Sequence, residues 1–312
     1  KNMEKKLYDL TAPQKSIWLT EQFYKDTNIN NVCGVFSSSV SLDFSLFEKA
    51  IKLFVQNNES FRTKLTLVDG EVKQYFDNYT DFNIEIAQVS SDEEKANLAK
   101  NINSKGFILL NSYLFNFTIF KYPDGRGGFI VNANHIISDS WTSGIIANEI
   151  SKIYCALKSG ESFEKDSELS YSNYIKTEQE YINSEKFRKD KAYWDSIFET
   201  LPEIATIPSL NQTASSDMSF KANRFYGDLN INTLEKLKEY SAKNKVSLYN
   251  LFMGIFALYL GRVSNLDNFV IGTPILNRTN FKEKQTTGMF INVLPLKFDI
   301  NHEEKFTEFL SK

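Results

Sequence analysis

The stretch Val131-Asn132-Ala133-Asn134-His135-Ile136-Ile137-Ser138-Asp139-Ser140-Trp141 is the part of this sequence best equipped for chemistry. His135 is one of two histidines in 312 residues. Its imidazole has the unperturbed pKa nearest neutrality, which makes it the default base for taking a proton from an amine or alcohol. Asp139 follows four residues later, close enough to brace the loop that carries the ring. It could equally be a plain N-cap for the next helix. A buried aspartate needs a cation or several donors to stay charged, and Arg62 and Arg278 are the arginines in the most strand-bounded positions. The pattern alone leaves two readings of His135 open: a general base, or a core histidine satisfied by backbone partners. His302 lies in Asn301-His302-Glu303-Glu304 and reads as a solvated surface residue. Histidine chemistry here therefore rests on His135.

The elements that must position this ring read as an α/β mixture. Phe129-Ile130-Val131 is a strand leading into the motif, and Ile145, Ile146, Glu149, Ile150, Ile153 and Leu157 mark a helix leading out. Thr11 caps a helix with Pro13 in its first turn, and Asp43 caps one built on Phe47, Ala50, Ile51, Phe54 and Val55. Arg62–Leu67 and Glu71–Phe76 flank Asp69-Gly70, a hairpin signal. Val32–Val40, Phe82–Ile86, Tyr113–Tyr122 and Gly128–Asn134 read as strands, with a polar helix from Ser91 to about Ser104. Lys158–Leu169 is a polar loop, Tyr171–Phe198 one long charged helical region, and Pro202–Ser219 loop-like. A second α/β unit follows: a strand near Arg224–Leu229, helices over Asn232–Lys243 and Ser247–Val263, strands at Phe269–Thr273 and Phe290–Phe298, then a charged helical tail.

Composition excludes several classes. Hydrophobic content of 42% supports cores and argues against disorder, and a chain of 312 residues favours two lobes. A net charge of −3 gives no reason to expect nucleic acid or an anionic membrane as partner. Cys33 and Cys155 lack metal-like spacing and fit a reduced cytoplasmic setting. No zinc cluster, P-loop, strand-borne glycine fingerprint or nucleophile elbow is present in the sequence. The expected chemistry uses no metal and no cofactor held by the chain itself. No transmembrane span or signal peptide is legible, and the first residue is Lys rather than Met, as expected of a piece cut from a longer chain.

Several motifs in order carry a resemblance. Asn134-His135-Ile136-Ile137-Ser138-Asp139-Ser140 resembles the His-His-x-x-x-Asp-Gly signature of condensation domains of nonribosomal peptide synthetases. Leu10–Trp18 is similar to the opening Ser-x-Ala-Gln-x-Arg-Leu-Trp element, and Asn57–Thr63 to Arg-His-Glu-x-Leu-Arg-Thr. Tyr171-Ser172-Asn173-Tyr174, Tyr193-Trp194, Ile271–Arg278 and Gly288–Asn292 stand in place of Tyr-x-Asp-Tyr, Tyr-Trp, Ile-Gly-Thr-Pro and Gly-x-Phe-Val-Asn. The likeness runs from residue 10 to about 298.

The resemblance implies an α/β fold: a chloramphenicol-acetyltransferase-like pseudodimer of two lobes in a V, the second lobe truncated. It divides the chain into a first lobe over 1–170, a helical connector over 171–205 and a partial second lobe over 206–312. It implies amide formation between a donor acyl or peptidyl thioester and the amine of an acceptor aminoacyl thioester, both on phosphopantetheine arms. The partners implied are upstream donor and downstream acceptor carrier domains and an adjacent adenylation domain. His135 takes the catalytic position. Asp139 pairs with Arg278 as structural support, Arg62 braces the core nearby, and Ser140 and Trp141 line the acceptor-side channel. Asn134 stands for the first motif histidine and Ser140 for the glycine beside the acceptor arm. A complete member is longer, so the isolated piece is expected to be a poor catalyst. The same resemblance leaves two other functions open: a non-catalytic docking platform for carrier or tailoring proteins, and a stand-alone acyltransferase using coenzyme A thioesters.

Overall fold

The computed structural model describes residues 5–207 and 225–312. In chain order the elements are β1 (Tyr8–Asp9), α1 (Ala12–Phe23), β2 (Asn31–Ser37), α2 (Phe44–Asn57), β3 (Thr63–Val68), β4 (Glu71–Phe76), β5 (Glu85–Gln88), α3 (Asp92–Asn103), β6 (Phe115–Lys121), β7 (Gly127–Asn134) and α4 (Ser140–Lys158). Then come α5 (Tyr171–Ile182), α6 (Glu185–Ile197), α7 (Ile231–Asn244), α8 (Leu248–Ser264), β8 (Asn268–Ile275), α9 (Phe281–Gln285), β9 (Asn292–Asp299) and α10 (Phe306–Ser311). They form two compact units: residues 1–187 with 275–292, and residues 188–274 with 293–312.

In the first unit, β7 is an inner strand of a four-stranded sheet ordered β2-β7-β6-β5, antiparallel except for the β5–β6 pair. Every residue of β7 is buried, because helices cover both faces. The period of two sorts its side chains. Phe129, Val131 and Ala133 enter the large core with Phe47, Phe54, Phe117, Ile146 and Ile150 from α2, β6 and α4. Ile130 joins Val89 and Phe120 in a smaller core under Leu98, Ala99 and Ile102 of α3. Gly128 is required by close approach: a Cβ there would lie 1.9 Å from the Phe36 carbonyl oxygen on β2. A second sheet, β1-β4-β3, contains the hairpin, whose Asp69 and Gly70 take φ of 52° and 82°, as a primed turn demands.

The second unit centres on Ala257, Leu260 and Phe269, packed by Val263, Ile271, Phe298 and Phe309. β8 and β9 pair there. No single described helix is long and apolar enough to cross a membrane.

Several expectations are corrected. The Tyr171–Phe198 region is two helices, interrupted at Asn183, whose side chain and N–H both turn back on Gln179. Residues 225–229 form no strand, and Arg224 and most of the predicted Pro202–Ser219 loop lie outside the described residues. The strand expected over Phe82–Ile86 begins at Glu85, because Ile84 and Phe82 turn into the core. The compact units are not continuous in sequence: α5 and residues 275–292 pack with the first unit. This distant segment is held there by the Phe290 N–H donating to Asp139 and by Thr142 and Tyr171 donating to the Gly288 and Met289 carbonyls.

Candidate active site

His135 begins the turn between β7 and α4. Its N–H donates to the Asn30 carbonyl at 2.7 Å, and the turn closes through Ile137 N–H to the Asn134 carbonyl at 3.1 Å. Asn134 is buried, and its Oδ1 accepts the Ile136 N–H at 3.0 Å. The ring is treated differently from the backbone. Nδ1 of His135 is buried and has no hydrogen-bond partner among the described residues. No carboxylate among them orients this imidazole through Nδ1, so the site is no Ser-His-Asp relay.

Asp139 is engaged elsewhere. Its side chain is fully buried at the N-cap of α4 and accepts the Thr142 N–H at 2.9 Å. Arg278 Nη1 and Nη2 donate to its two oxygens at 2.5 and 3.2 Å. The N–H groups of Phe290 and Ile291 add bonds at 3.0 and 3.2 Å. Burial pushes this carboxyl's pKa up, but the Arg278 hydrogen bond and charge, with the backbone donors, outweigh it and hold the group below the usual aspartate value. Arg278 also donates from Nε to the Glu283 carbonyl and lies 4.0 Å from the Phe290 ring centroid. The two roles weighed for Asp139, cap and ion pair, coexist in one residue.

Arg62 lies apart from this pair. Its Nη1 donates to the Asp77 carbonyl at 2.6 Å where β4 ends, and burial lowers its pKa. Ser140 opens α4 with no positive φ, so a side chain there costs the backbone nothing. With Trp141, which is 42% exposed, it lines a groove of about 580 Å³ walled by Ile145, Lys152, Phe163 and Lys284. Trp141 Nε1 donates to the Lys284 carbonyl at 2.8 Å. His135 does not line this groove.

The groove's base holds a polar network that sequence reading missed. Lys165 reaches Glu149 at 2.7 Å and Asn58 at 2.5 Å, and Asn58 also accepts from Thr287 at 2.9 Å. Lys165 falls in a segment whose polar composition signals only a loop. Glu149, buried on the apolar face of α4, was the one visible sign. Among the described residues no group of three His, Cys, Asp or Glu is arranged to hold a metal.

The condensation domain model matches residues 4–312. The chain is 36% identical to surfactin synthase subunit 1 of Bacillus subtilis (strain 168), over 99% of this chain and 9% of that protein. It is 26% identical to bacitracin synthase 3 of Bacillus licheniformis, over 98% of this chain and 5% of the other. The chain thus spans only a small part of either synthase. Among solved structures, the first condensation domain of the CDA synthetase superposes with a TM-score of 0.80 at 18% identity, covering 99% of this chain and 74% of that one. The condensation domain from the Monacolin K polyketide synthase gives 0.83 at 20%, covering 98% and 70%. The fold is thus α/β of the chloramphenicol-acetyltransferase-like class. Within that class, the chain belongs to the condensation domain family of nonribosomal peptide synthetases.

Proposed function

We propose that this chain forms an amide bond, passing a donor acyl or peptidyl group from one carrier-bound thioester to the amine of an acceptor aminoacyl thioester. The observation that supports this best is the unpartnered Nδ1 of His135 in a turn whose neighbouring Asn134 and Asp139 side chains are engaged. A free α-amino group titrates at about 8, so much of it is protonated near neutrality and must lose a proton to attack. An imidazole is suited to take that proton. With that first proton passed on to solvent, the neutral amine attacks; the C–N bond forms, the imidazole takes the second nitrogen proton, the C–S bond breaks, and that proton ends on the departing thiolate.

In this reading Asp139 and Arg278 support the turn structurally, while Arg62 steadies the end of the hairpin. Asn134 joins the strand end to the turn. Ser140 and Trp141 form the acceptor side, and the groove beside them gives an approach for a phosphopantetheine arm. The partners are the upstream donor and downstream acceptor carrier domains and an adjacent adenylation domain. Two free thiols, Cys33 and Cys155, fit a cytoplasmic setting. The test is His135→Ala with loaded donor and acceptor carriers. A loss of about 10²–10⁴ in amide formation is expected of a missing acid–base group. An unchanged rate would remove His135 from the chemistry.

A further inference from the structure

Two side chains on one face of α1 grip the chain on either side of His135. Gln14 Nε2 donates to the Ile136 carbonyl at 3.0 Å, and Glu21 Oε1 accepts from Asn134 Nδ2 at 2.7 Å. They stand seven residues apart, close to two helical turns, and so project from the same side. Both are buried, at 1% and 8% exposure. Gln14 is itself locked by a reciprocal amide pair with Gln74, at 2.9 and 2.7 Å. The helix behind them is anchored at its start by a capping box between Thr11 and Gln14. Thr11 also meets the buried Tyr171 hydroxyl at 3.2 Å.

A buried carboxylate is an expensive way to fill helix surface, since an apolar side chain packs without losing hydration. Glu21 sits in such a place and directs its charge to one amide, that of the residue preceding His135. Asn134 relays the hold, because its other atom, Oδ1, caps Ile136 N–H across the turn. We propose that Glu21 is a positioning residue for His135, and that α1, through Glu21 and Gln14, sets the angle at which the imidazole meets the amine. The proposal rests on the reading of His135 as the reacting base and identifies what holds it in line.

Four variants test it. E21Q keeps an oxygen that accepts from Asn134, whereas E21L removes the acceptor. N134D sets carboxylate against carboxylate. In N134D/E21Q the bond is reversed, the new glutamine amide donating to the new aspartate. Two readouts are taken: kcat and KM for amide formation with loaded carriers, and hydrogen exchange at the His135 N–H. Misplacing a reacting group by about 1 Å costs about 100-fold, so E21L and N134D should lower kcat by roughly 10- to 100-fold with KM unchanged. Both should speed exchange at His135. E21Q, which keeps the acceptor but not the charge, should lose clearly less than E21L, and N134D/E21Q should recover most of the rate lost in N134D. Wild-type kcat and exchange in E21L would overturn the proposal, as would failure of E21Q to rescue N134D. Should N134D alone not fold, E21L against E21Q still decides. Full activity in H135A would remove the catalytic reading, while the exchange measurement would still report whether Glu21 holds the turn.

Discussion

Asp139 and Arg278 are 139 residues apart in sequence and form a bidentate pair with both side chains fully buried. Such a pair is weak proof of stability as a whole, because two charges have left water. Removing one partner is another matter, since the remaining charge stays buried and uncompensated. Arg278→Met should therefore cost about 3–5 kcal/mol, read by urea unfolding. The double variant D139N/R278M should recover part of that, because the amide oxygen still caps the Thr142 N–H while no charge is left buried. A loss below about 1 kcal/mol in R278M would contradict the burial of the pair. The same pair predicts a pH response. Asp139 has a folded pKa below its unfolded value, so its contribution is complete above the ordinary aspartate value near 4 and is lost as pH falls through the folded one. Acid titration should show wild type losing stability below about pH 4 more steeply than R278M.

Local signals gave the elements that local physics decides. Thr11, Asp43, Ser91 and Asp139 were visible as caps because their side chains bond N–H groups two or three residues on. The hairpin at Asp69-Gly70 was visible because only certain residues tolerate its φ values. The His135 turn was legible as a candidate site from residue types and motif order. What holds it is legible only in part: Arg278 is named as the partner of Asp139, whereas Gln14 and Glu21 are remote partners that leave no local period. Gly288 shows the same limit. It reads as a motif position, yet its demand is spatial: φ is 145°, and a Cβ would lie 2.3 Å from Tyr171 Cδ2 on α5. Gly288→Ala should destabilise by about 1–3 kcal/mol from backbone strain, with the ring clash added. Thermal unfolding checks this, and an unchanged midpoint would show that the loop relaxes freely.

Across the first unit, residues 275–292 act as a structural part of a body otherwise built from the first 187 residues. Asn277 donates to the Tyr174 hydroxyl at 3.1 Å, Thr287 to Asn58 at 2.9 Å, and the Met289 carbonyl accepts from Tyr171 at 2.6 Å. These bonds span 103, 229 and 118 residues, separations that leave no local signal in the sequence. A fragment of residues 1–187 would keep Asp139 and Tyr171 but lose their partners. An unpaired buried charge costs about 3–5 kcal/mol, against a total stability of about 5–15 kcal/mol for a domain. Tyr171 would keep Thr11, and Asn58 would keep Lys165, but each would lose one further bond at about 0.5–1.5 kcal/mol. The lost ion pair and these bonds take a large share of the fold's margin. The fragment should therefore unfold without a sharp transition and show weak near-UV circular dichroism. A synthetic peptide of residues 275–292 should restore both signals, because it returns Arg278 to Asp139 and the Met289 carbonyl to Tyr171. Cooperative unfolding of the fragment alone, with no response to the peptide, would mean that these contacts decorate the site rather than complete it.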